Sequence, residues 1–92
     1  MIRTITTIRE NFNEFGYAIE ANFIQDQHDQ GGMTYELILK ERWEDGHFTY
    51  PSRRYKKFKN KEEGNEEYKK YLAKGFIFIS KNTFVPTEMD MR

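Results

Sequence analysis

Hydrophobic positions change their spacing along this 92-residue chain. Ile5, Ile8, Phe12 and Phe15 recur at intervals of three and four, the period of one helix face. Thr7 followed by Glu10 has the form of a capping box, in which a hydroxyl and a carboxylate reciprocally satisfy the first amides of a helix. Gly16 stands where a helix would end on a left-handed residue. The pattern predicts a short helix over roughly 6–15 with an extended lead-in at 1–5, although the β-branched run MIRTITTIR also suits a strand.

After Gly16 the period falls to two. Tyr17, Ile19, Ala21 and Phe23 alternate with Ala18, Glu20 and Asn22, the signature of a strand with one wet face. A polar loop from Gln25 to Gly32 follows. Alternation then resumes through Met33, Tyr35, Leu37 and Leu39. Asp45-Gly46 suits a tight hairpin turn into a third strand from His47 to Tyr50, which Pro51 ends or marks as an edge. Asn60 with Glu63 repeats the capping logic. Acids at 62, 63, 66 and 67 and lysines at 69, 70 and 74 then match the polarity of a helix dipole. Tyr68, Tyr71 and Leu72 form its apolar stripe and Gly75 its stop, while Gly64 costs about 1 kcal/mol against alanine in a helix interior. Phe76-Ile77-Phe78-Ile79 reads as a short buried strand at 76–80, and residues 86–92 read as a frayed tail.

The fold class expected is α+β: a three-stranded antiparallel sheet packed on one or two helices, in the order α-β-β-β-α-β and forming a single domain over 1–92. The expected core is Ile5, Ile8, Phe12, Phe15, Ile19, Phe23, Leu37, Leu39, Tyr68, Leu72 and Ile77. A chain this short buries only about 60–65% of its unfolded surface, so dimerisation would be a natural supplement.

Composition narrows the function. The chain has no cysteine, which removes disulfides, thiolate catalysis and Cys-type zinc sites and fits a reducing compartment. It shows no membrane-length apolar run and no signal-peptide start, so a cytoplasmic location in a host cell is expected. Fifteen basic and fifteen acidic residues cancel, which excludes a uniform polycation. His28 and His47 fall in a loop and after a turn, outside any motif that would position them for catalysis. No phosphate-loop or dinucleotide glycine pattern occurs. The expectation is no enzyme, no cofactor and no metal.

Neutrality conceals a dipole. Residues 1–52 hold nine acids and four bases, net −5, and residues 53–92 hold six acids and eleven bases, net +5. Within the basic half, Arg53, Arg54, Lys56, Lys57, Lys59 and Lys61 are interleaved with Tyr55 and Phe58 and contain no acid. Such a run can grip phosphates and stack bases, or dock on an acidic protein. It can also be an edge strand kept from aggregating by its cations, with its aromatics facing the core. A second candidate surface gathers Asp26, Asp29, Glu36, Glu41, Glu44 and Asp45 beside Trp43, which reads either as a lid on the core or as an exposed anchor.

Two resemblances follow from the αβββα order. Over roughly 6–74 the layout is similar to the double-stranded-RNA-binding domain, with Lys59-Asn60-Lys61-Glu62-Glu63-Gly64-Asn65 in the place of the segment that contacts phosphates in that family. In its size, cysteine-free composition, Asp-Gly hairpin and acidic loops, the chain also resembles small phage-encoded anti-CRISPR inhibitors. The second resemblance implies a non-enzymatic binding protein that blocks a host macromolecule, such as a CRISPR nuclease, by occupying its surface. A protein partner is the leading expectation and a nucleic-acid-binding module using 53–61 the alternative, for a monomer or homodimer off the membrane.

Overall fold

The computed structural model describes residues 1–87. Six strands and one helix follow the order β1 (Ile2–Arg9), β2 (Tyr17–Gln27), β3 (Met33–Trp43), β4 (Phe48–Thr49), β5 (Tyr55–Phe58), α1 (Lys61–Ala73) and β6 (Ile77–Phe84). All the strands belong to one antiparallel sheet in the order β4-β3-β2-β1-β6, with β5 joined to β3 further along the edge that β4 also uses. Residues 88–92, most of the expected frayed tail, lie outside the described residues.

The α-β-β-β-α-β reading is therefore corrected: the sheet has six strands, and the first element is a strand. The segment at 6–9 completes β1, which pairs with β2 on one side and β6 on the other. The supposed capping pair is used across strands. The Thr7 hydroxyl accepts from the Asn22 side-chain amide at 2.8 Å, and the Glu10 carboxylate accepts from the Ile19 amide at 3.0 Å. Gly16 does adopt φ +85, but in the turn between β1 and β2, where the Asn13 side-chain oxygen accepts from the amides of Phe15 and Tyr17. Two ladders of backbone hydrogen bonds outweigh the local helical spacing, which a segment of about ten residues could exploit only weakly in isolation.

Alternation sorts the sheet into two faces. The face beneath α1 carries Ile8, Ala21, Phe23, Leu37, Leu39 and Phe58, and its buried cluster is Ile8, Ala21, Leu37, Phe58 and Phe76. Tyr68 and Tyr71 descend from α1 onto Phe23, at centroid distances of 5.3 and 6.0 Å, and Tyr71 meets Phe76 edge-on at 4.8 Å. These tilted contacts suit the ring quadrupoles. Of the expected core, Ile8 and Leu37 are buried, and Ile19, Phe23, Leu39 and Tyr68 pack against the cluster. Phe15, Leu72 and Ile77 are exposed instead, because the first lies in a turn, the second on the outer side of α1 and the third on an edge strand.

The helix itself follows the expected signals. Asn60 is the N-cap, accepting from the Glu63 amide at 2.9 Å, and the Glu63 carboxylate reaches back to the Lys59 amide at 3.0 Å. Gly64 faces the sheet, and a Cβ built there would stand 3.6 Å from the Phe58 ring.

Candidate binding surfaces

Among the described residues no layer covers the other face of the sheet, and its side chains cover one another. Asp26 takes two bonds from Arg3, at 2.8 and 2.9 Å, and Glu20 takes two from Arg42, at 3.1 and 2.9 Å. Both carboxylates are buried, as are Asn22 and Thr7 between them. Fork-to-fork pairing of this kind offsets the cost of removing charge from water. Burial pulls Lys40 below the ordinary lysine range, with Arg42 adding to the effect and Glu20 opposing it.

The acidic residues singled out in the sequence do not form one patch. Asp26 is buried in its pair, and Asp29 is exposed beside the N-terminal ammonium, which holds its carboxyl below the usual range. Both lie at the β2–β3 turn, whereas Glu44 and Asp45 lie in the β3–β4 turn. The eleven residues of β3 separate the two ends by roughly 35 Å. Glu36 and Glu41 are half-buried on β3 between them. Trp43 is also half-buried, with its ring 5.0 Å from Tyr17 and stacked on His47 at 5.4 Å, while its Nε1 is buried without a hydrogen-bond partner. The Asp45 carboxylate binds both the His47 amide and its Nδ1, and these bonds lower its pKa.

The basic residues fare differently. Arg53, Arg54, Tyr55, Lys56, Lys57, Lys59 and Lys61 are all exposed. Arg54 already joins the edge of β3, its carbonyl accepting from the Leu39 amide at 2.7 Å, and Tyr55 to Phe58 continue that ladder. Strand alternation sends Phe58 into the core and Tyr55 and Lys57 to the helix-free face; Lys56 points to the helix side, where it pairs with Glu67 at 3.4 Å.

Sequence reasoning missed what lies next to this run. Phe48 on β4 pairs with Arg42 across the ladder, and Lys40 and Arg42 sit 4.5 and 5.0 Å from its ring centre. Tyr50 meets Phe48 edge-on at 5.4 Å and carries Arg54 at 5.1 Å. Phe48, Tyr50 and Tyr55 are 41%, 51% and 58% exposed. A strip of three exposed aromatics interleaved with cations thus runs along the outer margin of β3. The available signal was the recurrence of aromatic and basic residues on both sides of Pro51. Acids border the strip: Glu20 pairs with Arg42, and Glu36 bonds the Tyr55 hydroxyl, where desolvation with that bond raises the tyrosine pKa.

A second concavity of about 590 Å³ lies between α1 and the β1–β6 side of the sheet, with Thr4, Thr6, Tyr68, Phe78, Lys81 and Thr83 among its lining. His28 Nε2 bonds the Thr34 hydroxyl at 2.9 Å, and His47 is held by Asp45 in its turn. Among the described residues no group of three or more His, Cys, Asp or Glu could hold a metal ion, and no helix is long and apolar enough to cross a membrane. Comparison with protein-family models, curated proteins and solved structures finds no match to this chain.

Proposed function

We propose that this chain is a non-enzymatic binding protein, and that its working surface is the strip of Phe48, Tyr50 and Tyr55 with Lys40, Arg53, Arg54 and Lys57. The partner that suits the strip best is single-stranded nucleic acid. One observation carries this reading: three solvent-facing aromatic rings lie at one sheet margin among cations. Open rings offer stacking to any base and the cations follow the backbone, which is how sequence-tolerant single-strand binders work. Duplex binding in the manner of the double-stranded-RNA-binding domain finds no support, because the helix that opens that layout is β1 here.

The test is binding of labelled 12-nucleotide single strands across a salt series. About four phosphate contacts give a log–log slope near −3, from roughly −0.7 for each contact. Tyr50→Ala and Tyr55→Ala should each weaken binding by about 5- to 150-fold, the equivalent of about 1–3 kcal/mol per stacked base. Absence of binding at 50 mM salt, or binding that survives Arg53→Ala/Arg54→Ala/Lys57→Ala, would refute the reading.

A second reading keeps the inhibitor function, in which the chain covers a basic groove on a host macromolecule such as a CRISPR nuclease. It rests on the tip of the β3–β4 hairpin, next to the Phe48 end of the strip. There the Glu44 amide donates to the Gly16 carbonyl at 3.0 Å, which draws the exposed Glu14, Glu44 and Asp45 to one tip. Inhibition of such a nuclease, abolished by Glu44→Lys/Asp45→Lys and indifferent to the strip variants, would select this reading over the first.

A further inference from the structure

We infer that the free edge of β6 is a homodimer interface, with two copies joined by antiparallel β6–β6 pairing into one continuous sheet. The strand order puts β6 at the end of the sheet, hydrogen-bonded to β1 along one side, and among the described residues no strand pairs with its other side, which presents backbone donors and acceptors. A row of this kind accepts another strand.

Three features point to a second copy as that strand. The first is charge. From Gly75 to Thr87 the sequence GFIFISKNTFVPT has one charged residue, Lys81, in a chain that is 33% charged. Natural edges are usually guarded by several charges, and this one has a single lysine. The second is self-complementarity. A twofold axis at Phe78 sets Phe78 against its copy and Ile77 against Ile79, and keeps the two copies of Lys81 apart; an isologous interface needs a surface of this kind. The third is the small core. Among the described residues six hydrophobic ones are buried, and Ile8 is the only large side chain below 2% exposure, whereas Ile77, Phe78 and Ile79 stand 44%, 58% and 40% exposed in succession. Covering those three side chains supplies apolar burial that the isolated subunit lacks.

The register between β1 and β6 shifts between Thr7 and Ile8, which leaves Ile79 as an extra residue on β6. A bulge can turn an edge away from partners. Here it carries an isoleucine, so it adds apolar surface to the edge in place of repulsion.

Sedimentation equilibrium of the full chain between 5 and 500 μM tests the inference. The expected species is a dimer of 22.4 kDa, twice the 11.2 kDa chain. Phe78→Lys places two like charges near the axis and should raise the dissociation constant at least 100-fold, while far-ultraviolet circular dichroism stays that of the parent. Phe48→Lys, equally a surface aromatic but on the opposite margin, should leave the dimer intact. Because the chain has no cysteine, Phe78→Cys gives a single thiol, which should cross-link under mild oxidant only if the β6 strands meet. A chain that stays monomeric to 500 μM, a dimer indifferent to Phe78→Lys, or an open-ended series of larger species would each overturn the inference.

Discussion

Thr7 and Asn22 allow a quantitative test of how the helix-free face is held together. The Asn22 amide donates to the Thr7 hydroxyl at 2.8 Å, the two residues are 7% and 9% exposed, and Asn22 Oδ1 is buried with no hydrogen-bond partner. Thr7→Val keeps the shape and removes the acceptor. It leaves a buried amide with neither of its polar ends satisfied, at a cost of about 1–3 kcal/mol. For a domain of this length each kcal/mol moves the melting midpoint by about 4–8 °C, so a loss of about 5–15 °C is expected for the lower half of that range. Asn22→Leu deletes the unsatisfied oxygen together with the donor but takes the partner from the buried Thr7 hydroxyl, and should cost about 1 kcal/mol; replacing both partners by apolar groups of similar shape is nearly free. The double variant should therefore recover most of what Thr7→Val loses, with a coupling of about 1–2 kcal/mol. Urea unfolding of all four proteins at one fixed concentration measures this, since self-association would otherwise shift the midpoints. Simple additivity of the two single changes, or a Thr7→Val variant as stable as the parent, would refute the account.

Gly64→Ala should stabilise the protein by about 0.5–1 kcal/mol, because the helix gains propensity and the new methyl group meets Phe58 at 3.6 Å, an ordinary contact distance; a lower melting midpoint would show that the helix cannot accept it. The alkaline limb of stability should reflect Tyr71, whose phenol is pushed up by burial and by Glu67. A raised folded-state pKa means that its contribution is complete below pH 10, the ordinary tyrosine value, and is lost as pH rises through the higher folded value. Lys40, shifted down, acts with the opposite sign. The discriminating measurement is thus the difference between the parent and Tyr71→Phe across pH 9–11.5, which should widen in favour of the variant at the alkaline end; parallel curves would remove Tyr71 from the explanation.

The parts of the fold legible in the sequence are those whose partners are close along the chain. The alternation of β2 and β3, the Asp45-Gly46 turn and the Asn60 cap all hold, since each depends on neighbours within a hairpin or a helical turn. The N-terminal strand was legible only as an alternative to a helix, for the converse reason. Ile5 and Ile8 fall on opposite faces of the sheet, and what commits the segment to a strand is pairing with residues 20–27 on one side and 77–84 on the other. The same distance effect extends β6 past Ser80, where Lys81 to Phe84 find Thr6 to Arg3. The acidic residues are divided because β3 carries Asp29 and Asp45 to opposite ends of a long hairpin, whereas residues 53–58 stay together because they run along one edge.

The contrast within the helix-free face gives the strip its meaning. Over β1, β2 and the inner part of β3 that face is finished with paired polar groups, Arg3 with Asp26, Thr7 with Asn22, Arg42 with Glu20, and needs no covering layer. Had the outer margin served only to protect an edge, lysine and arginine alone would have sufficed, as they do on many edge strands. Instead Phe48, Tyr50 and Tyr55 stand in water there, each a large apolar area left exposed by a protein short of buried apolar area. That choice weakens the folded chain on its own, and under the proposed function a partner that stacks on those rings and places negative charge beside Lys40, Arg53, Arg54 and Lys57 would return the lost burial on binding.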